Sequence, residues 1–453
     1  MISKILHVLW GKLTREEYKK FGILGIAIML ILGNYWMLRT TKNPLFDMLV
    51  GLKRWQPVAK AFSLIFMIFI VIGYSKLVDI FKKNRLIYVM CSLYSLAFII
   101  ISYLLAHSSI IIIPESSTLY PIFAWIPGKL LGWFAYILLE SYGTLVVALF
   151  YSFVASVMTA DLAKKGYGLM TFIIQFGTIG GSLFTATFVK KIGIPVLYLI
   201  GGFIIMIVPF VIRYYLHAFP EDIAYKNPPS PAKKSTGFFS GLKLLLTHSY
   251  ILGIFVVATS YEIMATIVEY QMNYLATDMY TTEEFTVFTS YEALGINILA
   301  LLFAFFGTSF FLRKLGLRFC LIAFPLAIAA IISFNFTAYI FGFSSYSIMW
   351  ILLFASIAIK GTNYALNKPT SEILYIPTSK DIKFKAKGWI DMFGNRSTKS
   401  LGAGLSKVFS SSFTQLISYS TFISLGFIAF WLFVASFAGN RFNKLQKDKT
   451  IIE

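Results

Sequence analysis

The sequence predicts an all-α integral membrane protein of about twelve transmembrane helices in two groups of six. Three observations carry that expectation. The 453 residues are 58% hydrophobic and only 13% charged, with a mean hydropathy of +0.75, whereas a soluble domain is nearer half apolar and a quarter charged. Apolar runs of about 20 residues, the length that crosses a bilayer, recur along the chain. Between the two sets of runs lies one Pro-, Lys- and Ser-rich stretch, FPEDIAYKNPPSPAKKSTG, Phe219 to Gly237, which reads as a solvated linker.

The elements follow in order. MISKILHVLWGKL places Ile2, Ile5, Leu6, Leu9 and Leu13 on one helical face. It predicts an interfacial amphipathic helix and not a cleavable signal, because it is basic, short in apolar length and has no small-residue cleavage site. Spans are expected near 21–41, 57–80, 86–106, 129–158, 168–190 and 193–217, then near 244–276, 285–311, 316–341, 346–367, 388–412 and 415–438. The domains expected are an N-terminal six-helix half, 1–218, a cytoplasmic linker, 219–241, and a C-terminal six-helix half, 242–453. Two six-helix halves joined in this way are the layout of a major-facilitator-like architecture, in which the halves rock about a site near the midplane.

The net charge of +20 does not point to nucleic acid, because the cations sit in short loops that alternate along the chain. KKNR (Lys82–Arg85), Lys164 with Lys165, the linker, Arg313 with Lys314 and Arg318, KDIKFKAK (Lys380–Lys387) and the basic tail share one side. That side is expected to be cytoplasmic and to hold both termini. The intervening loops carry HSSIIIIPESS and the acids Asp278, Glu283 and Glu284, with Lys53, Arg54, Lys190 and Lys191 as their main cations. Cys91 and Cys320 lie inside apolar runs far apart and read as small core residues. The four histidines are scattered, so no metal-ligand spacing arises. No nucleophile–base constellation stands out, and an enzyme is not expected.

An ionised side chain at mid-membrane costs several kcal/mol, so those present should face a cavity or a partner. Four clusters meet that filter. In NYWMLRTTKNPLFD, Arg39 and Lys42 share a face with Tyr35, and Asn43–Pro44 should break the helix; the pair reads as snorkelling cations or as an anion pocket. Glu140 is the only charge in a long apolar run, with Trp133, Tyr136 and Thr144 on its face, and reads as a counter-ion or a site residue. Glu262, Thr266, Glu269 and Asn273 form one polar stripe, in which Glu262 lies nearer an end and reads as structural. In KGWIDMFGNRSTKSLGAG, Asp391, Asn395 and Lys399 fall four apart with Arg396 beside them, and Gly394, Gly402 and Gly404 should let neighbouring helices approach. The near-match to a phosphate loop there fails, because Thr398 stands where glycine is required. The GTIGG at Gly177–Gly181 reads as helix packing. Three or four interior cations with as many carboxylates suit a polyanionic substrate.

At these residues the chain resembles the ATP/ADP translocases, or nucleotide transporters, of obligate intracellular bacteria and plastids. The stretch Lys368 to Gly404 carries Tyr375-Ile376-Pro377, the basic loop Lys383 to Lys387, Ile390-Asp391 and Lys399-Ser400 in the family's order. LRTTKNPL is similar to the helix-one motif, LLESYGTLVVALF to a Glu-X-X-Gly motif and TIVEYQMNYL to a Val-Glu motif. The resemblance implies exchange of ATP for ADP in a bacterium living inside a host cell. It assigns transport roles to Lys42, Glu140 and Glu269, with Lys399 as the C-terminal lysine and Arg39 as the motif arginine. Thr40 and Asn43 stand where the family has acids, so other nucleotides or NAD, and proton-coupled nucleotide import, stay open. So do an organic-anion carrier and a non-transporting scaffold or sensor. The expected substrate-binding set is Arg39, Lys42, Glu140, Glu269, Asp391, Asn395, Arg396 and Lys399. No cofactor is expected, ATP and ADP being cargo. The partners are a nucleotide and the lipid bilayer, and a monomer in the bacterial inner membrane is expected.

Overall fold

A computed structural model describes residues 14–80, 83–107, 127–158, 160–220, 239–306, 308–448 and 450–452. The amphipathic helix expected at residues 2–13, residues 221–238 of the linker and the loop after His107 lie outside the described residues. In chain order the helices are α1 (Arg15–Arg39), α2 (Lys42–Val50), α3 (Leu52–Ile80), α4 (Lys83–Ala106), α5 (Leu130–Val157) and α6 (Ala160–Ala218). They continue as α7 (Phe239–Thr247), α8 (Ser249–Met279), α9 (Thr282–Phe306), α10 (Thr308–Ile340) and α11 (Ser345–Thr362). A π-helical turn (Asn363–Asn367) leads into α12 (Lys368–Leu374) and then α13 (Lys380–Trp389). A second π turn (Ile390–Gly394) precedes α14 (Asn395–Val408), and α15 (Phe413–Asp448) closes the chain. Among the described residues, the one β contact is an isolated bridge between Thr378 and Ile452.

Ten stretches among the described residues are long and apolar enough to span a bilayer, against about twelve expected. One of them, Gly166–Ala218, runs for 53 residues. At 1.5 Å per residue it is about 80 Å long, more than twice a hydrocarbon core. It contains both expected spans, 168–190 and 193–217, and Gly193 breaks it at φ 77°, ψ 164°, a backbone position that disfavours any side chain. The expected span at 388–412 is not among the ten. There the chain forms a π turn and the short polar helix α14, and Asp391, Arg396, Lys399 and Lys407 keep that stretch from being an apolar run.

The residues group into two compact units. One comprises Met1–Gly51, Ile65–Ser230 and Tyr280–Leu294, the other Leu52–Leu64, Pro231–Met279 and Gly295–Glu453. Helices α3 and α9 are therefore each divided, α3 after Leu64 and α9 after Leu294.

In the first unit α1 lies against α6 through small residues. A Cβ added at Gly33 would come within 3.0 Å of the Gly177 carbonyl oxygen, and one at Gly181 would collide with the carbonyl of Gly33. The GTIGG stretch is helix packing, as its composition suggested. Polar ties hold α1 to α6 and to α5: Asn34 donates to the Gly201 carbonyl at 3.1 Å and Thr185 to that of Met37 at 3.0 Å, while Tyr142 of α5 donates to that of Ile31 at 2.8 Å. Buried rings of Phe98, Tyr142 and Tyr198 pack edge to face beside them.

In the second unit α8 takes the corresponding central place. Tyr250 donates to the Leu374 carbonyl at 2.7 Å and Gln271 to the Ser420 hydroxyl at 2.7 Å. Helix α14 packs closely on α8, because a Cβ at Gly402 would come within 2.8 Å of the Ile263 carbonyl oxygen. Gly404, expected to do the same, has open space around it; it lies two residues on, about 200° around the helix. Many large apolar side chains stay exposed, among them Phe69, Phe210 and Phe433, as lipid-facing surface must be.

Candidate functional site

Helix α1 ends because two threonines bond back onto it. The Thr40 hydroxyl donates to the Met37 carbonyl at 2.9 Å and the Thr41 hydroxyl to that of Leu38 at 2.7 Å. The break therefore falls at Thr40–Thr41, ahead of the expected Asn43–Pro44. Pro44 sits instead in the first turn of α2, where its missing N–H costs nothing. That break separates two cations. Arg39, on the last turn of α1, donates to the Tyr35 hydroxyl at 3.1 Å and lies 4.9 Å from the ring centre of Trp36. Lys42 opens α2, is buried, and meets Glu140 of α5 at 2.5 Å, with the ring of Tyr136 4.6 Å away. Thr144 donates to the Glu140 carbonyl at 3.1 Å.

The second unit holds a larger charged cluster. Glu269 of α8 receives Lys360 of α11 on one carboxylate oxygen at 2.6 Å and Lys60 of α3 on the other at 3.6 Å. All three are nearly buried, at 13%, 13% and 10% side-chain exposure. About two helical turns before Glu269 on α8, Glu262 receives Lys399 of α14 at 3.4 Å. Arg396 donates to the Ser63 hydroxyl at 3.3 Å, and Ser400 donates to the Lys60 carbonyl at 3.2 Å. Residues 60–63 are thus fastened to α14 at the same level as the carboxylates of α8. Asn273, one turn beyond Glu269 on the stripe, is fully buried and its amide has no hydrogen-bond partner within the protein.

Of the eight residues expected from the sequence, Lys42 and Glu140 are brought into contact in the first unit, with Arg39 one turn away. In the second unit Glu269, Arg396 and Lys399 belong to one cluster through Lys60, Ser63 and Ser400. Asn395 begins α14 beside Arg396, and its amide oxygen is buried with no hydrogen-bond partner within the protein. Asp391 is exposed on the π turn, and the charges that act on it are those of Lys368, Lys387 and Glu372. It does not pair with Arg396 or Lys399 among the described contacts. Lys60 and Lys360 were not among the expected residues. Both are lysines inside apolar helices, QPVAKAFSLIF and SIAIKGTNYAL, so the mid-membrane charge rule that selected Glu140 would have selected them too. Glu262, read as structural, is the partner of Lys399.

Within the second cluster Lys60 and Lys360 meet Glu269, Lys399 meets Glu262, and Arg396 is held by Ser63. Glu269 sets a carboxylate beside the nearly buried Lys60 and Lys360, where an uncompensated charge would cost several kcal/mol. These cations suit an anion with several charged oxygens. Among the described residues no cluster of His, Cys, Asp and Glu has the form of a metal site.

The sequence and the fold have known counterparts. The TLC ATP/ADP transporter family matches residues 1–442. ADP,ATP carrier protein 1 of Rickettsia bellii is 24% identical over 475 residues, which cover 95% of this chain and 95% of that protein. The fold is similar to that of a bacterial homologue of the iron transporter ferroportin in its inward-facing state, with a TM-score of 0.61 at 11% identity over 94% of this chain and 99% of the other. It is also similar to that of the POT family transporter PepTSo, with a TM-score of 0.59 at 15% identity over 94% and 98%. The architecture is major-facilitator-like.

Proposed function

Because the chain belongs to the TLC ATP/ADP transporter family, we propose that it exchanges ATP for ADP across a bacterial inner membrane by alternating access, with both termini in the cytoplasm. It is a multi-pass membrane transporter and not an enzyme. The observation that carries the choice of cargo is the pairing of buried lysines with carboxylates, Lys42 with Glu140 and Lys360 with Glu269. A sugar or a neutral drug needs no such cations, whereas phosphates do. The cations offered to phosphate are Arg39 and Lys42 in the first unit and Arg396 and Lys399 in the second, where Asn395 offers its amide beside Arg396. Glu140 and Glu269 neutralise the lysines when no substrate is bound. Phosphate then gives the lysines one anionic partner in exchange for another.

The test is uptake of labelled ATP into proteoliposomes with and without internal ADP. Uptake that needs the internal nucleotide supports exchange. Equal uptake without it overturns exchange, and no uptake of any nucleotide overturns the function. Thr40 and Asn43, in place of the acids of the resembling motif, favour a second reading, in which other nucleotides or NAD are carried, or import is proton-coupled. A nucleotide panel, run with and without a protonophore, separates the two.

A further inference from the structure

Glu269 presents its two oxygens to two lysines that come from different helices, Lys360 to Oε2 at 2.6 Å and Lys60 to Oε1 at 3.6 Å. Two oxygens carried on one central atom, each facing an ammonium group, are also what a phosphate offers through its non-bridging oxygens. We propose that Lys60 and Lys360 bind the phosphate chain of the cargo, and that Glu269 is a built-in stand-in for that phosphate when the site is empty. The inference deepens the nucleotide-exchange reading and rests on it.

Three further features support the assignment. Lys60 and Lys360 keep 10% and 13% of their side-chain surface exposed, so neither side chain is wholly sealed in the protein. Arg396 and Ser400 of α14 attach to Ser63 and to the backbone of Lys60, which places a guanidinium three residues along α3 from the lysine. Lys360 lies three residues before the π turn Asn363–Asn367, a helix distortion that recurs at binding sites. A structural ion pair would need one lysine per carboxylate. Here one carboxylate faces two lysines from different helices. A phosphate chain with two or more phosphates meets both lysines with full charge, and a monophosphate leaves one of them weakly satisfied. These two lysines therefore read the number of phosphates, and the nucleobase is read elsewhere.

The experiment uses the full chain in two assays. In proteoliposome exchange, Lys60→Gln and Lys360→Gln each raise the KM for ATP about ten-fold or more, the loss of one charge-assisted hydrogen bond. They lower kcat less, and they narrow the advantage of ATP over AMP as a competitor. Lys360→Arg retains most of the parental KM. Glu269→Gln removes the competing anion and lowers the KM. In a thermal-shift assay of the purified protein, inorganic tripolyphosphate raises the Tm of the parent and raises that of the lysine variants less. The pair Glu269→Gln with Lys360→Gln removes one charge of each sign and keeps the assay usable where a single variant does not fold.

Parental KM values in both Lys→Gln variants, with an undiminished tripolyphosphate shift, overturn the assignment. Equal losses of kcat in Lys→Gln and Lys→Arg, with KM unchanged, do the same and mark a purely structural pair. A parent that exchanges no nucleotide but is stabilised by tripolyphosphate through these lysines overturns the exchange reading and leaves the phosphate site standing.

Discussion

The Nζ atom of Lys42 lies 2.5 Å from Oε1 of Glu140, across 98 residues of chain. Lys42 is 9% exposed and Glu140 24%, so the pair is held largely away from water. Removing one partner strands the other charge, whereas removing both does not. Lys42→Ala is expected to lower stability by about 3 kcal/mol or more, and Lys42→Ala with Glu140→Ala by clearly less than either single change. Thermal unfolding in detergent checks the stability order. Both single variants and the double variant lose labelled-ATP uptake, because the cation that meets phosphate is gone or misplaced. Uptake at the parental rate in Lys42→Ala would remove the residue from the site.

Lys399 and Glu262 give a contrasting case. The Lys399 side chain is 41% exposed, and such a pair adds little to stability after screening by water. Lys399→Ala should unfold at nearly the parental temperature and still transport poorly. A large drop in Tm with normal transport would reassign the pair to structure.

The contact between α1 and α6 leaves no room for a side chain. A Cβ at Gly181 would strike the backbone carbonyl of Gly33, and backbone yields far less readily than a flexible side chain. Gly181→Val is expected to cost about 3 kcal/mol or more and to reduce the amount of folded protein in the membrane. Gly180, with nothing within 4 Å of its added Cβ, is the control. Gly180→Ala should be tolerated, as fluorescence-detected gel filtration of the two variants will report.

Asn335 is 4% exposed, and neither atom of its amide has a hydrogen-bond partner within the protein. It lines a cavity whose room for a water centre is about 10 Å³, together with Gln271, Ser420, Thr421 and Ser424. An unpaired buried amide costs about 1–3 kcal/mol, and leucine has nearly its shape. Asn335→Leu is expected to raise Tm. A fall instead would mean that the amide is satisfied by water in the cavity, which a high-resolution map would show as a bound molecule.

Much of this was legible in the sequence, and the boundary of legibility has a physical cause. Arg39 and Tyr35 are four residues apart, so helical spacing alone predicts their contact, and they meet. Lys42 and Glu140 were each conspicuous as charges near apolar runs, but their pairing depends on how α2 packs on α5, which periodicity does not encode. Lys60 and Lys360 lie inside the expected spans 57–80 and 346–367, and that both meet Glu269 depends on packing that no single span encodes. Glu262, on the polar stripe of α8 and expected to be structural, has Lys399 as its ion-pair partner, a pairing that spacing along one helix does not encode. The break at Thr40–Thr41 shows side-chain hydroxyls competing with the helix before proline could.

The π turn Ile390–Gly394 makes chain length itself the device that aims a charge. A π turn closes over one more residue than an α turn, so it rotates everything that follows. Shortening that stretch by a single residue would let α-helix run through and would swing Arg396 and Lys399 by about 100° around the axis. Ser63 and Glu262 would then face other side chains, although no charge had been added or removed. Orientation in this segment is thus inherited from a spacer, and a deletion there is the mildest edit able to disarm two cations together.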